Sequence, residues 1–167
     1  TSPGWWVSAT ATSSAGDTSE FSADLPVLPV TSAQTLTASA GPSTYGQSVR
    51  FTATVTGTPT PAGTVQFLVD GQSFGAAVAI DPMTGVATSS AIATLAVGSH
   101  TITANYSGDF LRPSISTTIT QVVNKAHLMV SADAKSKLYG DAVPALTYSI
   151  SGFVNGETAA LVTGSTT

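Results

Sequence analysis

The chain has 167 residues, a formal net charge of −4 and no cysteine. Only five residues are Lys or Arg, so the chain has no basic patch for a nucleic-acid backbone. Because cysteine is absent, disulfides, thiolate metal sites and a thiol nucleophile are excluded. Thr (27) and Ser (22) replace most charges, and apolar residues reach 42% in periodic runs, which predicts a folded, all-β chain. No run of about 18 apolar residues and no charged-then-apolar leader occurs, so we expect neither a membrane span nor a signal peptide.

Residues 1–30 are predicted to be the closing strands of a preceding immunoglobulin-like module, followed by a proline-rich connector. The connector is placed at residues 26–30, where two prolines remove backbone donors and favour an extended chain. Trp5 and Trp6 are neighbours in a predicted strand, so only one of them faces inward. The other is expected to cover a seam between modules, in preference to stacking on a sugar.

Residues 31–124 are predicted to form one complete immunoglobulin-like sandwich of about seven short antiparallel strands. The strongest signals are period-2 alternations of apolar and polar residues around Phe51, Phe67 and Ile102, together with the Asp70-Gly71 turn signal. The remaining strands are predicted at residues 35–38, 74–80, 86–95 and 115–123. No helical periodicity competes with this pattern.

A repeat links this module to residues 125–167, the predicted first part of another β-module. Tyr45-Gly46 and Val49 recur at an offset of 94 as Tyr139-Gly140 and Val143. A second match, from residues 9–17 to residues 103–109, has an offset of 92. Two matches with nearly the same offset predict tandem modules.

Two resemblances to known families follow from particular strings. Residues 85–88 and 95–109, which include Leu95-x-x-Gly98-x-His100 and Tyr106-Ser107-Gly108-Asp109, resemble the bacterial Ig-like repeat family of large surface proteins. Residues 138–158, from Leu138-Tyr139-Gly140-Asp141 to Gly156-Glu157-Thr158, are similar to the start of an MBG domain. The resemblance implies arrays in adhesins, stalks and surface fibres, and it implies no shared catalytic residues.

The two histidines, His100 and His127, have no second ligand at metal spacing. His100 follows the corner at which sandwich domains often place a tyrosine that bonds back to the backbone. We therefore predict that His100 pins the turn before its strand, and we expect no catalytic, cofactor-binding or metal-ligating residues.

The carboxylates are predicted to serve turns. Asp17, Asp70, Asp81, Asp109 and Asp141 lie beside Gly or Pro, where Asx side chains bond their own backbone, whereas Asp133 and Glu157 have no obvious partner. The alternative is calcium at a module junction, bound by Asp109, Asp133 and Asp141 from separate loops.

Other covalent chemistry has little support in the sequence. No Gly-x-Ser-x-Gly elbow with a following helix supports a serine hydrolase. Lys125, Lys135 and Lys137 are expected to be exposed, whereas an isopeptide crosslink needs a buried lysine.

The function predicted first is a non-enzymatic spacer segment of an extracellular or cell-surface fibre, filament or adhesin stalk. Its partners would be neighbouring modules or copies of itself, with no nucleic acid and no membrane span. The alternatives are a carbohydrate- or protein-binding module and an accessory domain of an extracellular enzyme. We expect the chain to be part of a longer fibre protein, with completion of the end modules by neighbouring chains as the other possibility.

Overall fold

The structure, a computed structural model, describes residues 6–7, 10–16, 25–26, 30 and 32–163. The strands, in chain order, are β1 (Trp6–Val7), β2 (Leu25–Pro26), β3 (Ala33–Ala38), β4 (Ser43–Thr44), β5 (Phe51–Thr56), β6 (Thr64–Val69), β7 (Gln72–Ser73), β8 (Val78–Ala79), β9 (Val86–Thr88), β10 (Gly98–Tyr106), β11 (Ile115–Asn124), β12 (Met129–Ala132) and β13 (Tyr148–Ser151). The described residues contain no α-helix, and one 3₁₀ turn spans Ala159–Leu161. The predicted all-β class is confirmed.

The N-terminal part contributes one short antiparallel pair, in which β1 lies beside β2 with Trp6 opposite Pro26. Pro26, predicted to begin the connector, belongs to β2, while residues 27–29 and Trp5 lie outside the described residues. That this pair closes a preceding module stays a prediction.

Residues 33–124, called the sandwich below, form two sheets. One sheet has the order β3-β5-β9, and the other has the order β4-β11-β10-β6-β7 with β8 also paired to β6. All pairs are antiparallel except β4 with β11, which run parallel and place Ser43 opposite Val123. The fold is thus the predicted immunoglobulin-like sandwich. A second module of the same kind is not seen among the described residues, so tandem repetition stays a prediction.

The core lies between the two sheets and follows the predicted alternation. In β5 the side chains of Phe51, Ala53 and Val55 are buried, and the threonines between them face outward. Phe67 on β6 and Ile102 on β10 meet them from the other sheet at 0% exposure. Because apolar side chains occupy every second position, each strand buries one face at about 25 cal/mol per Å² of apolar surface.

Two predicted strands are much shorter than expected. The strand predicted at 74–80 is reduced to β8, because Gly75 has φ +70° and takes the chain out of the sheet. The strand predicted at 86–95 ends with β9, since the hydroxyl of Ser89 accepts a hydrogen bond from the Phe51 N–H (3.0 Å) and ends the ladder. Only Ile92 returns to the sheet, as an isolated bridge to Val49.

One core position in β11 is occupied by a polar residue, which the sequence pattern did not indicate. Val122 is 39% exposed, whereas Gln121 is 1% exposed and its side-chain amide donates to the Ser43 hydroxyl (3.0 Å). The alternation of β11 therefore passes through Ile119, Gln121 and Val123, so that a polar residue occupies a core position and is satisfied there by a hydrogen bond.

Residues 125–163, called the C-terminal segment below, contain one antiparallel pair, β12 with β13. No residue of this segment is buried, and most are exposed. Six residues are partly buried: Ala126, Pro144, Ile150, Phe153, Val154 and Glu157. Phe153, Val154 and Glu157 lie together at one turn. At this turn the segment contacts the sandwich.

Candidate functional site at the sandwich junction

The sandwich ends in a tight turn beside the point where its last strand exits. This Tyr-Gly turn, residues 44–47, is closed by a hydrogen bond from the Gln47 N–H to the Thr44 carbonyl (2.8 Å). Gly46 has φ +87° at the third position, as a type II turn requires. The Tyr45 N–H donates to the carbonyl of Asn124 (2.8 Å), so the turn is fixed to the end of β11.

The C-terminal segment presents a turn of a different kind. In this Asn-Gly turn, residues 154–157, the Glu157 N–H donates to the Val154 carbonyl (3.0 Å). Asn155 and Gly156 both have positive φ, at 54° and 77°. Two consecutive positive values are typical of a type I′ turn, for which Asn-Gly is the favoured pair.

Three contacts join the two turns. The Tyr45 hydroxyl donates to a carboxylate oxygen of Glu157 (3.0 Å). Val154 packs directly on Gly46, where a Cβ atom would lie 2.7 Å from the Val154 Cβ. The side-chain amide of Asn155 donates to the carbonyl of Ala93 (3.2 Å).

Ala93 belongs to the second loop that the Asn-Gly turn contacts. Its neighbour Ile92 exchanges two backbone hydrogen bonds with Val49, which fixes the loop at the same end of the sandwich as the Tyr-Gly turn. The Asn-Gly turn therefore contacts two separate loops, while four residues, 125–128, connect β11 to β12. Contacts on two sides of a short covalent connection oppose bending in more than one direction.

None of this junction was predicted, although both turns lie in strings with a recognisable sequence pattern. The Tyr-Gly repeat marked one turn, and Gly156-Glu157 lay in the string similar to an MBG domain. Glu157, for which no partner was expected, is bonded to a residue 112 positions away. No local signal connects residues that far apart.

Each of the two ring nitrogens of His100 forms a hydrogen bond. Nε2 lies 2.9 Å from the Ala96 carbonyl and Nδ1 lies 2.7 Å from an oxygen of Asp70. Both partners are acceptors, so both ring nitrogens donate in the imidazolium form. The Asp70 hydrogen bond first, and then the Ala96 carbonyl, raise the pKa of His100. The bond to Ala96 is the predicted bond back to the turn, whereas Asp70 was not foreseen.

Asp70 differs from its prediction. Its carboxylate does not bond its own turn but crosses to β10, where it accepts from His100 and from the Thr101 N–H (2.8 Å). The cause is its backbone, since Asp70 has φ +49° and its N–H donates to the Thr101 carbonyl, which places it alongside β10. The hydrogen bond from His100, and then that from Thr101, lower the pKa of Asp70.

A second polar cluster ties together two loops at the other end of the sandwich. Asp109 accepts from the N–H groups of Leu111 (2.9 Å) and Ala62 (3.0 Å) and from Nη1 of Arg112 (2.9 Å). Arg112 is 4% exposed and also donates to the Pro59 carbonyl. Burial opposes ionisation of Asp109, but the backbone and Arg112 hydrogen bonds outweigh it and lower its pKa to about 2.

Tyr106 completes this cluster. It is 1% exposed, and its hydroxyl donates to the Ala62 carbonyl (2.7 Å), so it bonds back to the backbone as a corner tyrosine does. Burial first, and then the neighbouring Asp109 carboxylate, raise the pKa of Tyr106 to about 12. Arg112 was missed in the sequence, because nothing local distinguishes a buried arginine from an exposed one.

The other carboxylates have separate partners. Asp81 accepts from the N–H groups of Met83 (2.8 Å) and Thr84 (2.9 Å), which is the predicted Asx turn. Asp133, for which no partner was expected, accepts from the Thr147 hydroxyl. Asp141 is exposed, and Asp17 lies outside the described residues.

The calcium prediction is wrong for the residues it named. Nowhere in residues 32–163 or the shorter described stretches do three His, Cys, Asp or Glu side chains come close enough to hold a metal ion. Asp109 accepts from Arg112, and Asp133 accepts from the Thr147 hydroxyl, so the two carboxylates have separate partners. Lys125, Lys135 and Lys137 are exposed, as predicted.

Fold and contacts together define an immunoglobulin-like β-sandwich whose polar side chains fix its loops and its junction. The family model of the bacterial Ig-like domain (group 3) matches residues 36–124, more than half of the chain, and the chain belongs to that family. The model of the MBG domain (YGX type) matches residues 128–167. The boundaries predicted at 30/31 and 124/125 stay predictions.

Domains of these two types are non-catalytic and typical of repeat regions in surface proteins. No curated protein matches the chain's sequence. Within the part of the chain that the structure describes, no helix has the length and apolar character needed to cross a membrane.

Proposed function

We propose that this chain is a non-enzymatic spacer segment of an extracellular bacterial surface protein, a fibre, filament or adhesin stalk. Its task in this proposal is to hold a distal part of the protein at a defined distance and direction from the cell. The observation that carries the proposal is the junction, where the Tyr-Gly turn receives the Asn-Gly turn.

The chain enters and leaves the sandwich at opposite ends, as a spacer requires. At the start of β3, Ala33 lies opposite Thr56 and hence beside the Pro59 loop. At the exit, Asn124 lies opposite Thr44, beside the Tyr-Gly turn. The ten residues of β11 span about 33 Å at roughly 3.3 Å each. Each such module would therefore add length along one axis.

The polar clusters support a mechanical role over a chemical one. His100 and Asp109 direct their bonds to backbone atoms of turns and to one partner side chain each. Bonds of this kind hold loops in place at the two ends of the sandwich, where neighbouring modules are attached.

A binding function is the second candidate, and one loop favours it. Phe110 is 97% exposed, beside Leu111 at 43%, at the end of the sandwich that carries the Pro59 loop. An exposed aromatic side chain on a fixed loop can stack on a sugar ring or enter a protein pocket. A glycan array that gives saturable, Phe110-dependent binding would favour this candidate over the spacer.

The spacer proposal is tested on cells that make the protein. Antibodies raised against the chain should label intact cells, and electron micrographs of the same cells should show thin projections that carry the label. Labelling that appears only after the cells are permeabilised would contradict the proposed location, and label on compact particles without projections would contradict the spacer role.

A further inference from the structure

The chain contains two Tyr-Gly turns of the same geometry, and only one of them is occupied. In the second, residues 138–141, the Asp141 N–H donates to the Leu138 carbonyl (3.2 Å), as Gln47 does to Thr44 in the first. Gly140 has φ +91°, against +87° for Gly46. Both turns thus have tyrosine at the second position and a left-handed glycine at the third, the arrangement of a type II turn.

The surroundings of the two turns are opposite. Tyr45 is partly buried and bonded to Glu157, whereas Tyr139 is fully exposed, at 107% of its reference area. A Cβ atom on Gly46 would meet Val154 at 2.7 Å, whereas one on Gly140 would meet nothing within 4 Å. The second turn has the shape of the first without its occupant.

The occupied copy shows what kind of group fits. Val154 supplies an aliphatic side chain that packs on Gly46. A residue with a Cβ atom in place of this glycine would leave no room for it. Glu157 supplies an acceptor for the tyrosine hydroxyl. The type I′ backbone of the Asn-Gly turn holds these two side chains three positions apart and on the same side.

We propose that the Tyr139-Gly140 turn is the docking site for an Asn-Gly turn of an adjoining β-module, one that carries an aliphatic residue before the Asn and a Glu after the Gly. The site deepens the proposed spacer function and rests on it, because it would repeat the same junction one module further along. Tyr139 would donate to the incoming carboxylate, and the incoming aliphatic side chain would cover Gly140.

The apolar side chains around Tyr139 leave surface at this turn that a partner can cover. Tyr139 is fully exposed, and Leu138 (77%) and Val143 (71%) are exposed beside it. Tyrosine is also enriched at protein interfaces, because its ring packs while its hydroxyl bonds.

The test uses the full chain, labelled with nitrogen-15, and a backbone-cyclised hairpin peptide that copies residues 150–159 with its Asn-Gly turn. We expect saturable amide shifts concentrated at residues 138–141 and none at the occupied Tyr45 turn. Tyr139→Ala should weaken binding at least about tenfold, equivalent to about 1.4 kcal/mol. A control peptide with Asp at the valine position should not bind.

Shifts that miss residues 138–141, or equal affinity of the wild-type chain and the Tyr139→Ala variant, would overturn the inference. The side chain of Tyr139 contacts nothing that folding depends on, and an unchanged spectrum away from the turn checks this in the same experiment. Failure here is separable from failure of the spacer proposal: a chain that labels intact cells and does not bind the hairpin keeps the proposed function and loses this site.

Discussion

Replacement of Asp109 by alanine is the sharpest test of how the sandwich holds its loops. The substitution removes the acceptor for Ala62 and Leu111 and leaves the Arg112 guanidinium without its carboxylate. The side chains of Arg112 and Asp109 are 1% and 11% exposed, so both lie in the regime of buried pairs. Removing one partner from such a pair typically costs about 3–5 kcal/mol, because the other charge stays buried.

This cost converts to a large shift in melting temperature. For a domain of 60–100 residues, about 1 kcal/mol lowers Tm by roughly 4–8 °C, so we expect Asp109→Ala to lower the Tm of the sandwich by about 12 °C or more. Circular dichroism or calorimetry measures the shift. The matched control is Asp141→Ala, an exposed turn aspartate in the C-terminal segment, for which we expect a change within about 0.5 kcal/mol.

A double variant distinguishes the cost of breaking the ion pair from the cost of removing any side chain of this loop. If the pair itself is the cause, Arg112→Met should cost less in the Asp109→Ala background than in the wild type, since the stranded charge is then removed. Equal small shifts for Asp109→Ala and Asp141→Ala would refute the reasoning, and so would additive effects of the two substitutions in the cluster.

The remaining predictions concern His100, Gly46 and the core. Because the pKa of His100 is raised above 6.5 and that of Asp70 is lowered below 3.8, their bond stabilises the fold between these two values. The Tm difference between the wild type and His100→Gln should therefore shrink as pH rises through the raised pKa of His100 or falls through the lowered pKa of Asp70, and a pH-independent difference would contradict this. Gly46→Ala and Gly140→Ala introduce the same left-handed strain of about 1–2 kcal/mol, but only the first clashes with the facing valine. Amide shifts across the junction should therefore appear for Gly46→Ala alone. Phe67→Ala should cost about 3–5 kcal/mol by denaturant unfolding, as for other fully buried rings, and a loss below about 1 kcal/mol would argue against its central place in the core.

The strands that the sequence predicted well are those whose pattern is local. Phe51, Phe67 and Ile102 are each the centre of an apolar-polar alternation, and all three are fully buried in strands. Alternation predicts a strand because one face of the sheet is buried and the other is solvated. A short window of residues is therefore enough to identify the strand and its buried face.

The parts that the sequence did not predict depend on contacts between distant residues. A serine ends β9 by bonding to Phe51, 38 positions away, and a glutamine, Gln121, occupies a buried position in β11. The sequence of residues 86–95 does not show where the pairing with the neighbouring strand ends. Nor can the type of a residue reveal that Arg112 is buried.

The candidate site was the least predictable feature, for the same reason. Each of its turns had a recognisable local signal, a Tyr-Gly repeat and an Asn-Gly pair. Their contact joins Tyr45 to Glu157 across 112 positions and depends on how the C-terminal segment is placed after the connection at residues 125–128. Sequence periodicity therefore predicted repeating modules, and it carried no information on how the sandwich and the C-terminal segment are joined.

The central claim is that the junction holds the sandwich and the C-terminal segment as one body, and nitrogen-15 relaxation of the full chain in solution tests it most directly. With the junction formed, amides of β10 and β11 should report the same rotational correlation time as those of β12 and β13. A clearly shorter correlation time for β12 and β13 would show that the segment moves independently, and the account of a direction-holding spacer would then be wrong.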